Sequence, residues 1–229
     1  MFTGPHIVTE GLVLHLDAAN TKSYLGSGTT WFDKSGRGNN GALTNGPTFN
    51  SGNGGSIVFD GVNDSVIVSS FNQLPTGSNA RTINIWFNTN TTTWQSNVNN
   101  LFFYGTGNNG NAFGIDFDVY PTMEIYTWGG PGRDFVFSTT FPQVGWSNLS
   151  IVYNGSTSLS IYENSKNTQN TTIIACNTTN TSVWIGSINP TIQSWYFDGK
   201  ISNMQIYNRA LTPSEVEQNY NATKTRFGL

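Results

Sequence analysis

Along most of the chain apolar and polar residues alternate in short runs, each closed by Gly, Asn, Asp or Pro. A period of two marks strands that bury one face and leave the other polar. The first run covers 11–16, and others fall at 56–59, 65–69, 81–88, 100–104, 112–119, 123–128, 134–138, 146–154, 158–163, 172–176, 182–186 and 196–207. Within 81–88, Ile83, Ile85 and Phe87 share one face and Thr82, Asn84 and Trp86 the other. From Asp17 to Gly55 glycines interrupt the pattern, which predicts a long loop. About a dozen strands are too many for one open twisted sheet, so the pattern predicts two packed antiparallel sheets. No repeat of 20 to 50 residues points to a propeller or solenoid.

One helix is signalled by Thr212-Pro213-Ser214-Glu215: a capping hydroxyl, Pro at the first helical position and Glu at the third. It is expected to run to about Ala222. Asp60-Gly61 and Asp198-Gly199 read as tight turns in which Gly supplies positive φ, so Gly199→Val is expected to destabilise the fold.

Composition narrows the function. Charged residues are 10% of the 229, while Asn, Thr, Gly and Ser together supply 106 positions, so solubility rests on amides and hydroxyls. A net charge of -3 with ten dispersed Lys+Arg excludes a dedicated nucleic-acid binder. No apolar run reaches the length of a membrane-spanning helix, and the start MFTGPHIVTEG lacks the layout of a secretory signal. Membrane insertion and secretion by that route are not expected. Cys176 is the single cysteine, so no intrachain disulfide forms. Composition is uniform along the chain, giving one domain over 11–229 behind an amino-terminal arm, 1–10.

Four segments carry a resemblance: GLVLHLDAANTKSY with WFDKSGRGNNGALTNGPTF, then SIVFDGVNDSVIV, WSNLSIVYNGS, and FDGKISNMQIYNRALTPSEVEQNYNATKTRFGL. In this order they resemble the laminin G-like branch of the concanavalin A-like lectin/glucanase superfamily. The resemblance implies an all-β, concanavalin A-like jelly-roll sandwich of two antiparallel sheets with one short carboxyl-terminal helix. The phrase LDAAN…WFDKSG…NNGALTNGP and the end NYNATKTRFGL are similar to single-domain lectin-like virion proteins of tailed phages. That likeness implies a non-enzymatic structural or decoration protein, assembled in the host cytoplasm and displayed on the phage particle surface. Its implied partners are other virion proteins, with a homotrimer as the expected assembly, and host cell-surface glycans. The alternatives are a free-standing carbohydrate-binding or adhesion module and, third, a glycoside hydrolase.

Catalysis is not expected. Glycoside hydrolysis uses two carboxyls a short distance apart, and the superfamily's glucanases carry them as Glu-x-Asp-x-x-Glu, a run this chain lacks. Asp116 and Asp118 share a strand face with Glu124 on the next strand, the one acidic cluster, and surface acids are its commoner reading. A nucleophilic triad would depend on His15, which alternates with Leu14 and Leu16 and reads as the polar face of its strand. Glycan recognition needs aromatic rings flanked by hydrogen-bonding groups. Tyr126, Trp128, Arg133 and Asp134, in IYTWGGPGRD, fit best; Trp94 and Trp195 come second, while Trp31, Trp86, Trp146 and Trp184 read as structural. No cofactor is expected. Calcium is the one metal weighed, at Asp17 with Asn20 or Asn63 with Asp64, although such residues usually cap turns. Phe2, Ile7 and Phe227, apolar residues near the chain ends, are expected to contact a partner subunit.

Overall fold

The computed structural model describes residues 5–69, 72–89, 99–129 and 132–229. Phe2 and Trp94 lie outside them. The described residues form sixteen strands and one helix. In chain order the strands are β1 (Leu12–Asp17), β2 (Thr30–Trp31), β3 (Gly41–Thr44), β4 (Thr48–Asn50), β5 (Ser56–Asp60), β6 (Ser65–Val68), β7 (Arg81–Thr89) and β8 (Asn99–Gly105). They continue as β9 (Ala112–Phe117), β10 (Thr122–Tyr126), β11 (Asp134–Ser138), β12 (Gly145–Tyr153), β13 (Ser158–Glu163), β14 (Lys166–Thr172), β15 (Val183–Ile185) and β16 (Asp198–Tyr207). The helix α1 (Pro213–Thr223) runs into a 3-10 turn, Lys224–Phe227.

Two antiparallel sheets result. The first runs β14-β13-β12-β7-β16-β5-β4, with β1 also paired to β16; the second runs β11-β10-β9-β8-β15-β6-β3-β2. Their facing sides interlock as the alternation requires. Ile83, Ile85 and Phe87 of the first sheet meet Phe113, Ile115 and Phe117 of the second within one buried cluster, and the rings of Phe87 and Phe117 lie edge to face at 5.4 Å. The fold is therefore the expected all-β sandwich with one short helix.

Three expectations are corrected. The stretch from Asp17 to Gly55 holds β2, β3 and β4, short strands recruited by pairing with β6 and β5. Lys166–Thr172 pairs with β13 where 172–176 was expected; its side chains are all polar, as an edge strand tolerates. Gly61 does turn with φ 74°, but Gly199 is extended within β16. Glycine is required there for another reason: a Cβ would collide with the carbonyl of Asn88 on β7.

The outer face of the first sheet is covered by the chain's own end. Thr212 caps α1 in a reciprocal capping box with Glu215, and Glu215 is held by Arg209 through two contacts, 2.6 and 2.9 Å. Trp86, fully buried, donates from Nε1 to Thr223 Oγ1 at 2.9 Å and stacks on Tyr220 at 5.5 Å and on Phe227 at 4.1 Å. Beside it the buried amides of Asn84, Gln205 and Asn148 bond one another, with Ser150 adding a fourth partner. Phe227, expected to await a partner, is thus only 8% exposed and lies against Trp86 and Trp146. Residues 6–8 of the expected arm are also pinned. Val8 N–H donates to Asn219 at 2.8 Å and Gln218 to the His6 carbonyl at 2.7 Å, while Ile7 packs beside Val8, Tyr207 and Val216.

Trp86→Ala removes this stack and its hydrogen bond together. It is expected to destabilise the protein by about 3–5 kcal/mol, read as a lowered midpoint of urea unfolding.

Candidate functional site

The outer face of the second sheet carries a cleft. Along β9, β10 and β11 the even-numbered positions point away from the core, and register aligns them in rows: Asp116 lies opposite Glu124, and Tyr126 opposite both Gly114 and Asp134. The cleft, about 410 Å³, is lined by Asp116, Glu124, Tyr126, Trp128, Gly129, Asp134 and Trp195. The acidic cluster and the aromatic loop that the sequence offers as separate candidates are therefore one site.

Its wall is aromatic. Tyr126 lies flat across Gly114, where any Cβ would strike the ring, and its hydroxyl donates to Asn100. With its oxygen turned to Tyr126, Asn100 donates to the carbonyls of Phe102 at 3.2 Å and Ser187 at 3.0 Å. Trp128 stands edge-on to Tyr126 at 6.1 Å and stacks on Trp195 at 6.3 Å. Behind them Phe103, Ala112 and Ile188 form a small apolar cluster with Trp184 and Ile192 packed against it. Trp128 occupies the left-handed region, φ 68°, a conformation that costs a bulky residue roughly 1–3 kcal/mol. Asp134 holds it there, accepting from the backbone N–H groups of Thr127 at 3.2 Å and Trp128 at 3.1 Å, while Gly110 N–H donates to the Trp128 carbonyl at 2.6 Å.

The floor is acidic. Asp116 is 2% exposed, and among the described residues its Oδ1 meets no hydrogen-bond partner. Burial, followed by the charges of Glu124, Asp118 and Asp134, pushes its carboxyl up to about 9. Burial, then Asp134 and Asp118, pushes Glu124 up to about 7. Among the described residues no basic side chain lines the cleft. Arg133 sits next door: its backbone carbonyl closes the loop by accepting from Thr127, and its side chain packs against Gly110 and Gly129. Asp118 falls in the β9–β10 turn, where it accepts from the Thr122 hydroxyl at 3.3 Å.

The other candidates lie elsewhere. Asp17 pairs with Arg226 at 2.9 Å and caps Ala19 N–H, and Asn20 caps Lys22 N–H. Asp64 accepts from Asp60 N–H at 3.1 Å, and the Asn63 carbonyl accepts from Asn45. Among the described residues no three His, Cys, Asp or Glu side chains converge as a metal site. His15 has an unpartnered Nε2 in a separate cleft with Asp17, Asn203 and Arg226 beneath α1, and burial lowers its affinity for protons. Among the described residues no helix is long and apolar enough to cross a membrane.

A raised carboxyl makes stability depend on pH. Folded Asp116 keeps a proton that the unfolded chain releases near pH 4, so its contribution to stability is full in acid and is lost as pH rises through the window to about 9. Asp116→Asn keeps the shape and removes this dependence. At pH 8 the variant is expected to be more stable by on the order of 1–3 kcal/mol, and its melting temperature to stay level between pH 7 and 9 where that of the native protein declines.

A laminin G-type model described as the concanavalin A-like lectin/glucanases superfamily matches residues 60–217. No curated protein matches the chain by sequence. Among solved structures, the binding domain of Paraclostridial mosquitocidal protein 1 aligns with TM-score 0.70 and 17% identity over 93% of this chain and 52% of its own. The binding domain of botulinum neurotoxin DC, in complex with rat synaptotagmin II, aligns with TM-score 0.72 and 14% identity over 94% and 52%. Domain 4 of a GH43 extracellular arabinanase from Geobacillus stearothermophilus, in complex with arabinotriose, aligns with TM-score 0.67 and 18% identity over 91% and 98%. The chain spans about half the length of the two toxin domains and nearly all of the arabinanase domain. At these identities the likeness is one of fold.

Proposed function

The chain belongs to the laminin G-type family of the concanavalin A-like lectin/glucanases superfamily, and from that premise we propose that it is a non-catalytic module that binds a saccharide in the cleft of its second sheet. The observation that carries this reading is the pairing of an aromatic wall, Tyr126, Trp128 and Trp195, with a floor of carboxyl groups, Asp116 and Glu124. A sugar ring offers C–H faces for the former and hydroxyls for the latter. A volume near 410 Å³ lies within the range of ligand pockets, about 300–1,000 Å³. The arabinanase domain of the same fold, in complex with arabinotriose, supports the ligand class.

In mild acid the electrostatics fit binding better than hydrolysis. A glycosidase keeps one carboxyl ionised as base or nucleophile while the other donates a proton. Here burial holds Asp116 protonated at neutral pH and leaves Glu124 protonated in mild acid, so below pH 7 both act as hydrogen-bond donors.

For the setting we propose the surface of a phage particle, on the likeness of the terminal phrases noted above. In support, α1, Val8 and Phe227 lie on the outer face of the first sheet, and the cleft lies on that of the second. Attachment to other virion proteins through the chain ends, as a homotrimer or otherwise, leaves the cleft facing outward to cell-surface glycans. Detection of the chain by mass spectrometry of purified particles is the expected result, and its absence from them overturns this placement.

On a glycan array the intact protein is expected to bind a restricted set of saccharides without cleaving them. Trp128→Ala is expected to lose at least tenfold in affinity, about 1.4 kcal/mol, with its melting temperature kept within a few degrees. An array with no bound glycan, or unchanged binding by the variant, overturns the reading.

A further inference from the structure

Resting on the saccharide reading, we infer that the cleft selects a sugar that carries a free, protonated amino group. Three observations converge. Asp116 lines the cleft, and its buried Oδ1 has no hydrogen-bond partner among the described residues. Its cross-strand neighbour Glu124 brings a second carboxyl to the same wall. Three rings, Tyr126, Trp128 and Trp195, border the space above them, with Trp128 and Trp195 stacked.

An unpartnered buried carboxyl is costly unless a cation or a proton relieves it. A neutral sugar leaves the pair protonated. An ammonium group takes the place of a proton, pairs with the carboxylate away from water, and is also attracted by aromatic faces. An acidic sugar would add negative charge beside Asp116, Glu124 and Asp134, whose mutual repulsion already opposes ionisation, and is disfavoured.

The surrounding elements leave the cation's place open. From β9, β10 and β11 the charged groups facing the pair are Asp116, Glu124 and Asp134, and the β9–β10 turn adds Asp118; all are acidic. Strand β8, the segment 106–111 and the segment 186–197 that carries Trp195 contain no charged residue. Arg133, the nearest basic side chain in sequence, packs against Gly110 and is absent from the lining. At pH 6 burial and the neighbouring carboxyls hold both groups protonated, so an ammonium ligand displaces at least one proton on binding.

The test is calorimetric titration of the full chain at pH 6 with two probes, the tetramer of glucosamine and its fully N-acetylated counterpart. The amine tetramer is expected to bind at least tenfold tighter and to release protons, seen as a heat that varies with the ionisation enthalpy of the buffer. Glu124→Gln is expected to bring the two probes within threefold of one another, and Asp116→Asn serves the same purpose should the first variant fail to fold. Equal or tighter binding of the acetylated tetramer overturns the amine inference and leaves the saccharide reading intact. So does binding of a neutral glycan on the array with neither tetramer bound. Failure of every glycan class overturns the saccharide reading, and the amine inference with it.

Discussion

A two-sheet sandwich buries one face of every strand against the opposite sheet, and the second face of each sheet then has to be satisfied by something else. The rest of this structure follows from how that is done. On the first sheet the chain covers the face itself: Trp86 takes Phe227 and Tyr220 against its indole, and Thr223 against its N–H. On the second sheet a local aromatic cluster around Phe103 and Tyr126 covers part of the face, and the remainder is left as the cleft. The asymmetry separates an interior-like face, stitched to both chain ends, from a face with room for a ligand.

Polar groups are buried on both faces. Under the helix, Asn148 and Ser150 donate to Asn84, and Asn84 donates to Gln205, while Asn148 Oδ1 and Gln205 Nε2 stay without a partner among the described residues. Arg81, fully buried at one end of the core, is held by the carbonyls of Gly77 and Asn79, by Thr178 and by the faces of Tyr104, Phe113 and Tyr153. Asp116 Oδ1 is likewise without a partner among the described residues, and it belongs to a carboxyl whose affinity for a proton is strongly raised. Buried groups displaced this far from their ordinary protonation cluster at functional sites, and this one shares its cleft with three aromatic rings.

Much of this was legible in the residues. Alternation put Ile83, Ile85 and Phe87 inward and Trp86 outward, and the capping signal at Thr212 set the start of the helix. The same parity, carried through β9, β10 and β11, places Asp116, Glu124, Tyr126 and Asp134 on one face, so the union of acidic and aromatic candidates could have been read from register. Other features had no periodic signal. The strand Lys166–Thr172 is polar throughout, and β2 is two residues long; both exist because a neighbour offers hydrogen bonds. Trp195 reaches the cleft from a distant segment, and Phe227 finds its partners only once the helix has docked. Gly199 was identifiable as an obligatory glycine, but its reason is a close approach between strands, which sequence does not display.

The central claim is that saccharide binding occurs on the outer face of the second sheet, against Trp128 and Trp195. The indole N–H resonances of the tryptophans report this directly in a titration with the best-binding glycan of an array, followed by two-dimensional nitrogen–proton spectroscopy. The account predicts that the Trp128 and Trp195 indole signals move and saturate together, while those of Trp31 and Trp86, both fully buried, stay in place. Saturable binding that leaves Trp128 and Trp195 unmoved, or that shifts the Trp86 signal beneath the carboxyl-terminal helix instead, contradicts it.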